Sequence, residues 1–150
     1  MASEITRGRR IGLDFGEVRI GLSLSDLDSI LVSPLATLTN DEKFKSNFKK
    51  ILAQNMPVYI AIGWPIHLSG SLSAKSQSVK DFATGLKSYV DVPIYLIDER
   101  LTTTDAYAQM RDAGKSMKQS KEIIDQLAAV GILNLALSLE KSDKGLGNPI

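Results

Sequence analysis

The sequence predicts an α/β fold built on one mixed β-sheet. Residues 9–15 and 19–25 each alternate apolar and polar side chains and are separated by a short turn, which predicts an antiparallel hairpin. Further along the chain, apolar runs of strand length alternate with helical patterns, as in sheets that are flanked by helices. With 150 residues the chain has the size of one domain, and we predict a single domain with loose tails at 1–8 and 141–150.

The first three predicted strands form a meander. Residues 9–15 place apolar side chains on one side and Asp14 on the other. Residues 19–25 repeat the alternation after the turn, and residues 30–38 offer a third strand. Because proline cannot donate a ladder hydrogen bond, Pro34 predicts that this third strand lies at an edge or contains a bulge.

Helices and strands alternate in the rest of the chain. Thr39 and Glu42 have the spacing of a capping box, so a helix that carries Phe44 and Phe48 is predicted to begin there. In order, the later predicted elements are a buried strand at 58–63, a helix ending near 89, a buried strand at 93–98, a helix at 103–113, a basic loop at 115–121 and a long helix at 122–139.

The composition excludes several kinds of site. The chain has no cysteine and one histidine, His67, which excludes disulfides and thiolate zinc sites and argues against a Ser-His-Asp triad. Hydrophobic residues make up 43% of the chain and charged residues 23%, as in a soluble globular domain. No uninterrupted apolar run approaches the roughly 20 residues of a membrane span, and residues 1–6 lack a signal-peptide core, so we expect a cytoplasmic protein.

Several acidic residues lie at the ends of predicted strands or on the apolar stripe of a predicted helix, where charged side chains are uncommon. Asp14 ends the first strand, and the pair Asp98 and Glu99 ends the last one, at the carboxyl edge where α/β sheets gather their ligands. Only one of this pair can share a face with Asp14, because adjacent strand residues point to opposite faces; the other would cap the following helix. Asp125 lies on an apolar helix stripe with Ala128, Ala129 and Ile132.

These carboxylates need a compensating charge if they meet. Two of them about 4 Å apart repel by about 4 kcal/mol at an effective dielectric constant of 20. A divalent ion removes this repulsion, and oxygen ligands favour magnesium or manganese. One or two such ions would activate a water and stabilise the leaving oxygen of a phosphodiester.

Four motifs in order resemble the YqgF family, also described as Holliday-junction-resolvase-like, of the ribonuclease H-like superfamily. The resemblance covers residues 10–139 and rests on four segments: Gly-Leu-Asp-Phe-Gly at 12–16 with Arg-Ile-Gly at 19–21, Gly-Trp-Pro at 63–65 with Gly-Ser at 70–71, Asp-Glu-Arg-Leu-Thr-Thr at 98–103, and Asp-Gln-Leu-Ala-Ala at 125–129.

The resemblance implies a five-stranded mixed sheet whose first three strands are antiparallel. It implies Asp14, Glu99 and Asp125 as catalytic metal ligands, with Asp98 in a supporting role at most. The implied activity is magnesium-dependent hydrolysis of structured nucleic acid, in particular at the 5′ end of pre-16S rRNA, with ribosomal precursor particles as possible partners. Members of the family often have leucine at the position of Trp64 and asparagine or arginine at that of His67.

Basic residues near these motifs are candidates for binding the phosphate backbone, which they would hold without reading its sequence. Arg19 and Arg100 are the strongest candidates because they stand beside acidic motifs, although Arg100 could instead hold a carboxylate. The remaining candidates are Arg9, Arg10, Lys115, Lys118 and Lys121. Trp64 could stack on a base or cover the edge of the core, and His67 is not expected to be a general base.

Three other functions remain open from the sequence. A Holliday-junction-type DNA resolvase would use the same acids on branched DNA. An actin-like phosphotransferase also places an Asp-x-Gly beside a hairpin, but that architecture normally needs two such domains. The third alternative is a nucleic-acid or ribosome-assembly binding protein that is not an enzyme. Such a protein would bind nucleic acid in EDTA and would not cleave it in magnesium.

Overall fold

The computed structural model describes residues 6–66, 72–101 and 118–150. Its sheet has five strands in the order β3-β2-β1-β4-β5. The predicted helix at 103–113, Lys115 and His67 lie outside the described residues.

The predicted alternation of elements is confirmed within the described residues. The elements are β1 (Arg10–Phe15), β2 (Arg19–Ser25), β3 (Val32–Thr39), α1 (Phe44–Asn55), β4 (Tyr59–Trp64), α2 (Ala74–Leu86), β5 (Ile94–Asp98), a 3₁₀ turn (Glu99–Leu101) and α3, which is described over Lys118–Glu140. The first three strands pair antiparallel, whereas β4 pairs parallel with both β1 and β5.

The third strand is an edge strand, as Pro34 predicted. Pro34 faces Ser23 of β2, and the register between the two strands shifts at Leu22/Ser23. The missing proline N–H therefore removes no ladder bond from the interior of the sheet.

Two sequence predictions about helix boundaries are wrong. Thr39 still belongs to β3, so it does not cap a helix; α1 begins later and has Lys43 at its N-cap position without a side-chain cap. Residues 118–121, predicted as part of a basic loop, lie in α3. In both cases local patterns of polar residues could not show where the chain leaves the sheet or joins the helix.

Each face of the sheet is covered by its own helices. On one face, Leu13 and Ile62 pack in a core with Phe48 of α1 and Val79 of α2. On the other face, α3 packs through side chains that include Leu133. Asp14 lies on the α3 face, because its neighbour in the strand belongs to the opposite core.

Helix α3 is unusually apolar for a helix that packs on only one side. Its segment Lys121–Glu140 has 20 residues and a mean hydropathy of 1.5, the length and composition of a membrane span, although no unbroken apolar run suggested one. In this protein the apolar stripe of α3 is accounted for by the sheet, since Ala129, Leu133 and Ala136 are completely buried against it.

A buried ion pair ties the far end of α3 to the start of β1. The guanidinium of Arg10 donates to both carboxylate oxygens of Glu140, at 3.2 Å and 2.7 Å, and the hydroxyl of Tyr59 donates to the same carboxylate at 2.9 Å. Arg10 also donates to the carbonyl oxygens of Thr6 and Gly8. Burial, and then the Glu140 carboxylate, raise the pKa of the Tyr59 phenol.

Residues 141–150 follow the protein surface rather than forming the loose tail predicted. The backbone N–H of Ile150 donates to the carbonyl of Ile94 on β5 at 2.9 Å, and Ile150 packs against the core. The Lys141 ammonium donates to the carbonyl of Ser29 at 2.8 Å. The tail therefore contributes a hydrogen bond to the β5 edge of the sheet.

Candidate active site

Helix α3 brings Asp125 close to the β1–β2 hairpin because the strand residue that it contacts is a glycine, Gly21. In the hairpin, Asp14 pairs with Gly21 of β2. A Cβ atom on Gly21 would overlap the carbonyl oxygen of Asp125 and lie 3.0 Å from its Cβ. Helix α3 therefore contacts the sheet directly beside Asp14, and only a residue without a side chain permits this approach.

Glu99 reaches the same region from the end of β5. A Cβ atom on Gly63 would overlap the Oε1 atom of Glu99, so the glutamate side chain lies over Gly63. Gly63 follows Ile62, the β4 partner of Leu13, which puts it beside Asp14 on the α3 face. All three predicted acids thus lie on one face of the sheet, at neighbouring positions of β2, β1 and β4.

Asp98 turns away from this site, as the alternation of the strand requires. Its carboxylate accepts hydrogen bonds from the side chain of Arg100 at 2.6–3.0 Å and from the Arg100 backbone N–H at 2.9 Å. The hydrogen bonds from the Arg100 guanidinium hold the pKa of Asp98 below its ordinary value. Arg100 therefore has the structural role that the sequence left open for it.

The Asp125 carboxylate is paired with an arginine of the adjacent strand. Arg19 Nε donates to Asp125 Oδ2 at 2.9 Å, and the two side chains are 30% and 14% exposed. This ion pair compensates the charge that Asp125 brings to the inward face of α3. The partner is 106 residues away in the chain, so no local pattern could predict it.

The donor set fits a divalent cation in its chemistry. Three carboxylates supply the hard oxygen ligands that magnesium and manganese prefer, and the glycines leave room for close approach. Over residues 6–66, 72–101 and 118–150, however, no three acidic or histidine side chains are as close together as the ligands of one ion. Since Asp125 is bonded to Arg19, ion binding would require this carboxylate to be shared or released.

One predicted phosphate-binding residue is ruled out by the structure. Arg10 is completely buried and paired with Glu140, so it cannot contact a nucleic-acid backbone at the surface. Arg19 lines the cleft at Asp125, and both Arg19 and Arg100 are already bonded to a carboxylate. Lys121 is half-buried in the first turns of α3, and the side chain of Lys118 lies outside the described part of the chain.

Trp64 belongs to the core edge. Its indole N–H donates to the carbonyl of Ser76 at 3.0 Å, and its ring packs against the core on the α1–α2 face. These contacts account for the residue structurally and connect the end of β4 to the first turn of α2.

Three side-chain hydrogen bonds hold α3 in place at the site. Ser23 Oγ donates to the carbonyl of Ala129 at 2.7 Å, Thr37 Oγ1 donates to the carbonyl of Glu122 at 2.9 Å, and Gln126 Nε2 donates to Thr37 Oγ1 at 3.0 Å. Ser23 and Thr37 belong to none of the four sequence motifs. Their polar side chains on the inward face of β2 and β3 were the available signal.

The close approach at Gly21 can be tested by adding one methyl group. We expect Gly21→Ala to lower the free energy of unfolding by about 1–3 kcal/mol, because the new Cβ overlaps the backbone of α3. Gly85→Ala is the matched control, since no atom lies within 4 Å of a Cβ there, and it should be neutral or slightly stabilising. Chemical denaturation measures both variants; equal stabilities would disprove the steric argument.

Comparison with solved structures defines the class of fold. The chain superposes on Thermus thermophilus RuvC in complex with a Holliday junction substrate with a TM-score of 0.60 and 12% sequence identity, covering 95% of this chain and 99% of that chain. A second Thermus thermophilus RuvC structure gives a TM-score of 0.56 at 14% identity. The predicted ribonuclease H-like fold is thereby confirmed.

The family is established by sequence. The profile of the family described as RuvX, Holliday junction resolvase, matches residues 8–139. A relative from Mycobacteroides abscessus, named "Putative pre-16S rRNA nuclease", is 43% identical over 131 residues, covering 85% of this chain and 79% of the relative. One from Leifsonia xyli subsp. xyli with the same name is 37% identical over 146 residues, covering 95% and 94%. The chain belongs to the RuvX family, which confirms the resemblance drawn from its four motifs.

Proposed function

We propose that this protein is a metal-dependent nuclease that hydrolyses phosphodiester bonds in structured nucleic acid, with the 5′ end of pre-16S rRNA as its substrate. The observation that carries the proposal is that Asp14, Glu99 and Asp125 lie on the same face of the sheet, beside Gly21 and Gly63. Membership of a nuclease family and the names of the relatives support it.

Each acid has a distinct part in the proposed site. Asp14 lies between the other two and would be the shared ligand, while Glu99 and Asp125 would complete the coordination of one or two Mg²⁺ or Mn²⁺ ions. When bound, such ions activate water and neutralise the charge that develops on a phosphodiester. Arg19 would exchange its contact with Asp125 for one with a substrate phosphate, because its guanidinium matches both anions.

The proposed partner is nucleic acid, with ribosomal precursor particles in the cytoplasm as the setting. Net charge gives little attraction over the whole molecule, since the chain carries a formal charge of only +1. Affinity would therefore come from local contacts near the acids and would weaken as salt is added.

Cleavage of two defined substrates tests the proposal. Purified protein is incubated with an RNA spanning the 5′ precursor boundary of 16S rRNA and, separately, with a four-way DNA junction, in Mg²⁺, in Mn²⁺ and in EDTA. We expect cleavage of the RNA at a defined position in either metal and none in EDTA.

The other outcomes separate the alternatives. Preferential cleavage of the DNA junction would overturn the proposed substrate in favour of a resolvase. Binding of the RNA that persists in EDTA without turnover in either metal would overturn the enzymatic proposal in favour of a binding protein.

A further inference from the structure

A cleft of about 590 Å³ opens beside Asp125. One wall is the turn between β1 and β2, from Gly16 to Arg19, and the other is the first turns of α2. Asp125 also lines the cleft, which therefore joins the candidate active site directly. The α2 residues of this wall belong to none of the four sequence motifs.

The α2 wall presents a lysine to the cleft. Ala74, Lys75 and Ser78 lie on one side of the helix and line the cavity. Among the described residues, no carboxylate forms an ion pair with Lys75, whereas Arg19 on the opposite wall is paired with Asp125. The carboxylates of Glu17 and Asp125 also line the cleft, and Lys75 adds a cationic group that forms an ion pair with no described residue.

Several hydrogen bonds hold the start of α2, which carries Lys75, against the end of β4. Ser73 and Ser76 form a reciprocal capping box. Ser76 Oγ also donates to the carbonyl of Pro65, and the Trp64 indole donates to the carbonyl of Ser76. These bonds connect the first turn of α2 to the end of β4, the strand that carries Gly63.

We propose that Lys75 binds a phosphate of the substrate next to the scissile one, and that the cleft between α2 and the β1–β2 turn guides the backbone of the strand away from the acids. This inference rests on the proposed function for the identity of the substrate. The ammonium of Lys75 supplies the charge, the hydroxyl of Ser78 supplies a second donor, and Phe15 and Val18 supply apolar surface for the sugar or base.

The chain offers a matched control on the same helix. Lys80 is exposed, lies five positions further along α2 and does not line the cleft. The test compares Lys75→Gln with Lys80→Gln, using a fluorescein-labelled RNA that spans the 5′ precursor boundary of 16S rRNA. Binding is measured by anisotropy in EDTA over a series of salt concentrations, and single-turnover cleavage is measured in Mg²⁺.

We expect Lys75→Gln to weaken binding about 3- to 10-fold and to reduce the slope of log affinity against log salt by roughly the contribution of one phosphate contact, about 0.7–0.9. The RNA concentration for half-maximal cleavage should rise by a similar factor, while the plateau rate stays within about twofold of the wild type. Lys75→Arg should retain the salt slope, and Lys80→Gln should behave as the wild type.

The results distinguish a failure of this inference from a failure of the proposed function. Equal affinity and equal salt slope for Lys75→Gln and Lys80→Gln would overturn the role of Lys75, even if the protein cleaves the RNA. A slope of log affinity against log salt that is reduced in Lys75→Gln but not in Lys80→Gln would support the contact, even if no RNA is cleaved in any metal.

Discussion

Asp14→Asn is expected to lower the rate of cleavage by at least about 10²-fold at saturating substrate. Asparagine keeps the size of the side chain but removes the negative charge from the centre of the three acids. A metal ion stabilises the charge of a transition state by several kcal/mol, and each 1.36 kcal/mol corresponds to a tenfold change in rate. The measurement is single-turnover cleavage of the precursor RNA over a titration of Mg²⁺.

Asp91→Asn is the matched control for this prediction, because Asp91 is an exposed aspartate that does not line the site. It should cleave like the wild type, and both variants should unfold cooperatively. Undiminished cleavage by Asp14→Asn would refute the assignment of this residue. If the loss is instead recovered at high Mg²⁺, Asp14 contributes to ion affinity without being required for the reaction itself.

Glu140→Gln is expected to produce the largest loss of stability, about 3–5 kcal/mol, at a position far from the acids. The pair of Arg10 and Glu140 is 1% and 15% exposed, so the variant leaves a buried guanidinium without its counter-charge. Thermal unfolding should shift down by about 10 °C for a domain of this size. Denaturant unfolding gives the free energy directly.

An exposed ion pair in the same region supplies the comparison. Arg7 and Asp28 are 68% and 60% exposed, and Arg7→Gln should change the stability by about 0–1 kcal/mol. The double variant Arg10→Met, Glu140→Leu should recover much of the loss, since it removes both buried charges together. If Glu140→Gln unfolds at the same denaturant concentration as Arg7→Gln, the buried pair does not stabilise α3 against the sheet.

Local sequence patterns predict the strands of the sheet and the side of α3 that packs against it. The two alternating segments at 10–15 and 19–25 form β1 and β2. Because side chains alternate with a period of two, the apolar residues of each strand must all face the same side of the sheet. The stripe of Asp125 with Ala129 likewise fixes which side of α3 meets the sheet. The choice of Glu99 over Asp98 needed the family resemblance, and the geometry at Gly63 then supports it.

Boundaries and electrostatic partners were decided only by the tertiary structure. The pairs Arg19–Asp125 and Arg10–Glu140 join residues 106 and 130 positions apart. A sequence pattern covers a few turns of helix or one strand, so it carries no information about which charges meet after packing. The sequence by itself thus determined the order of strands and helices along the chain and the side of each element on which its acidic residues lie. Only the packing of these elements determined that Arg10 is buried, that Arg19 pairs with Asp125, and that Lys75 lines the cleft at Asp125.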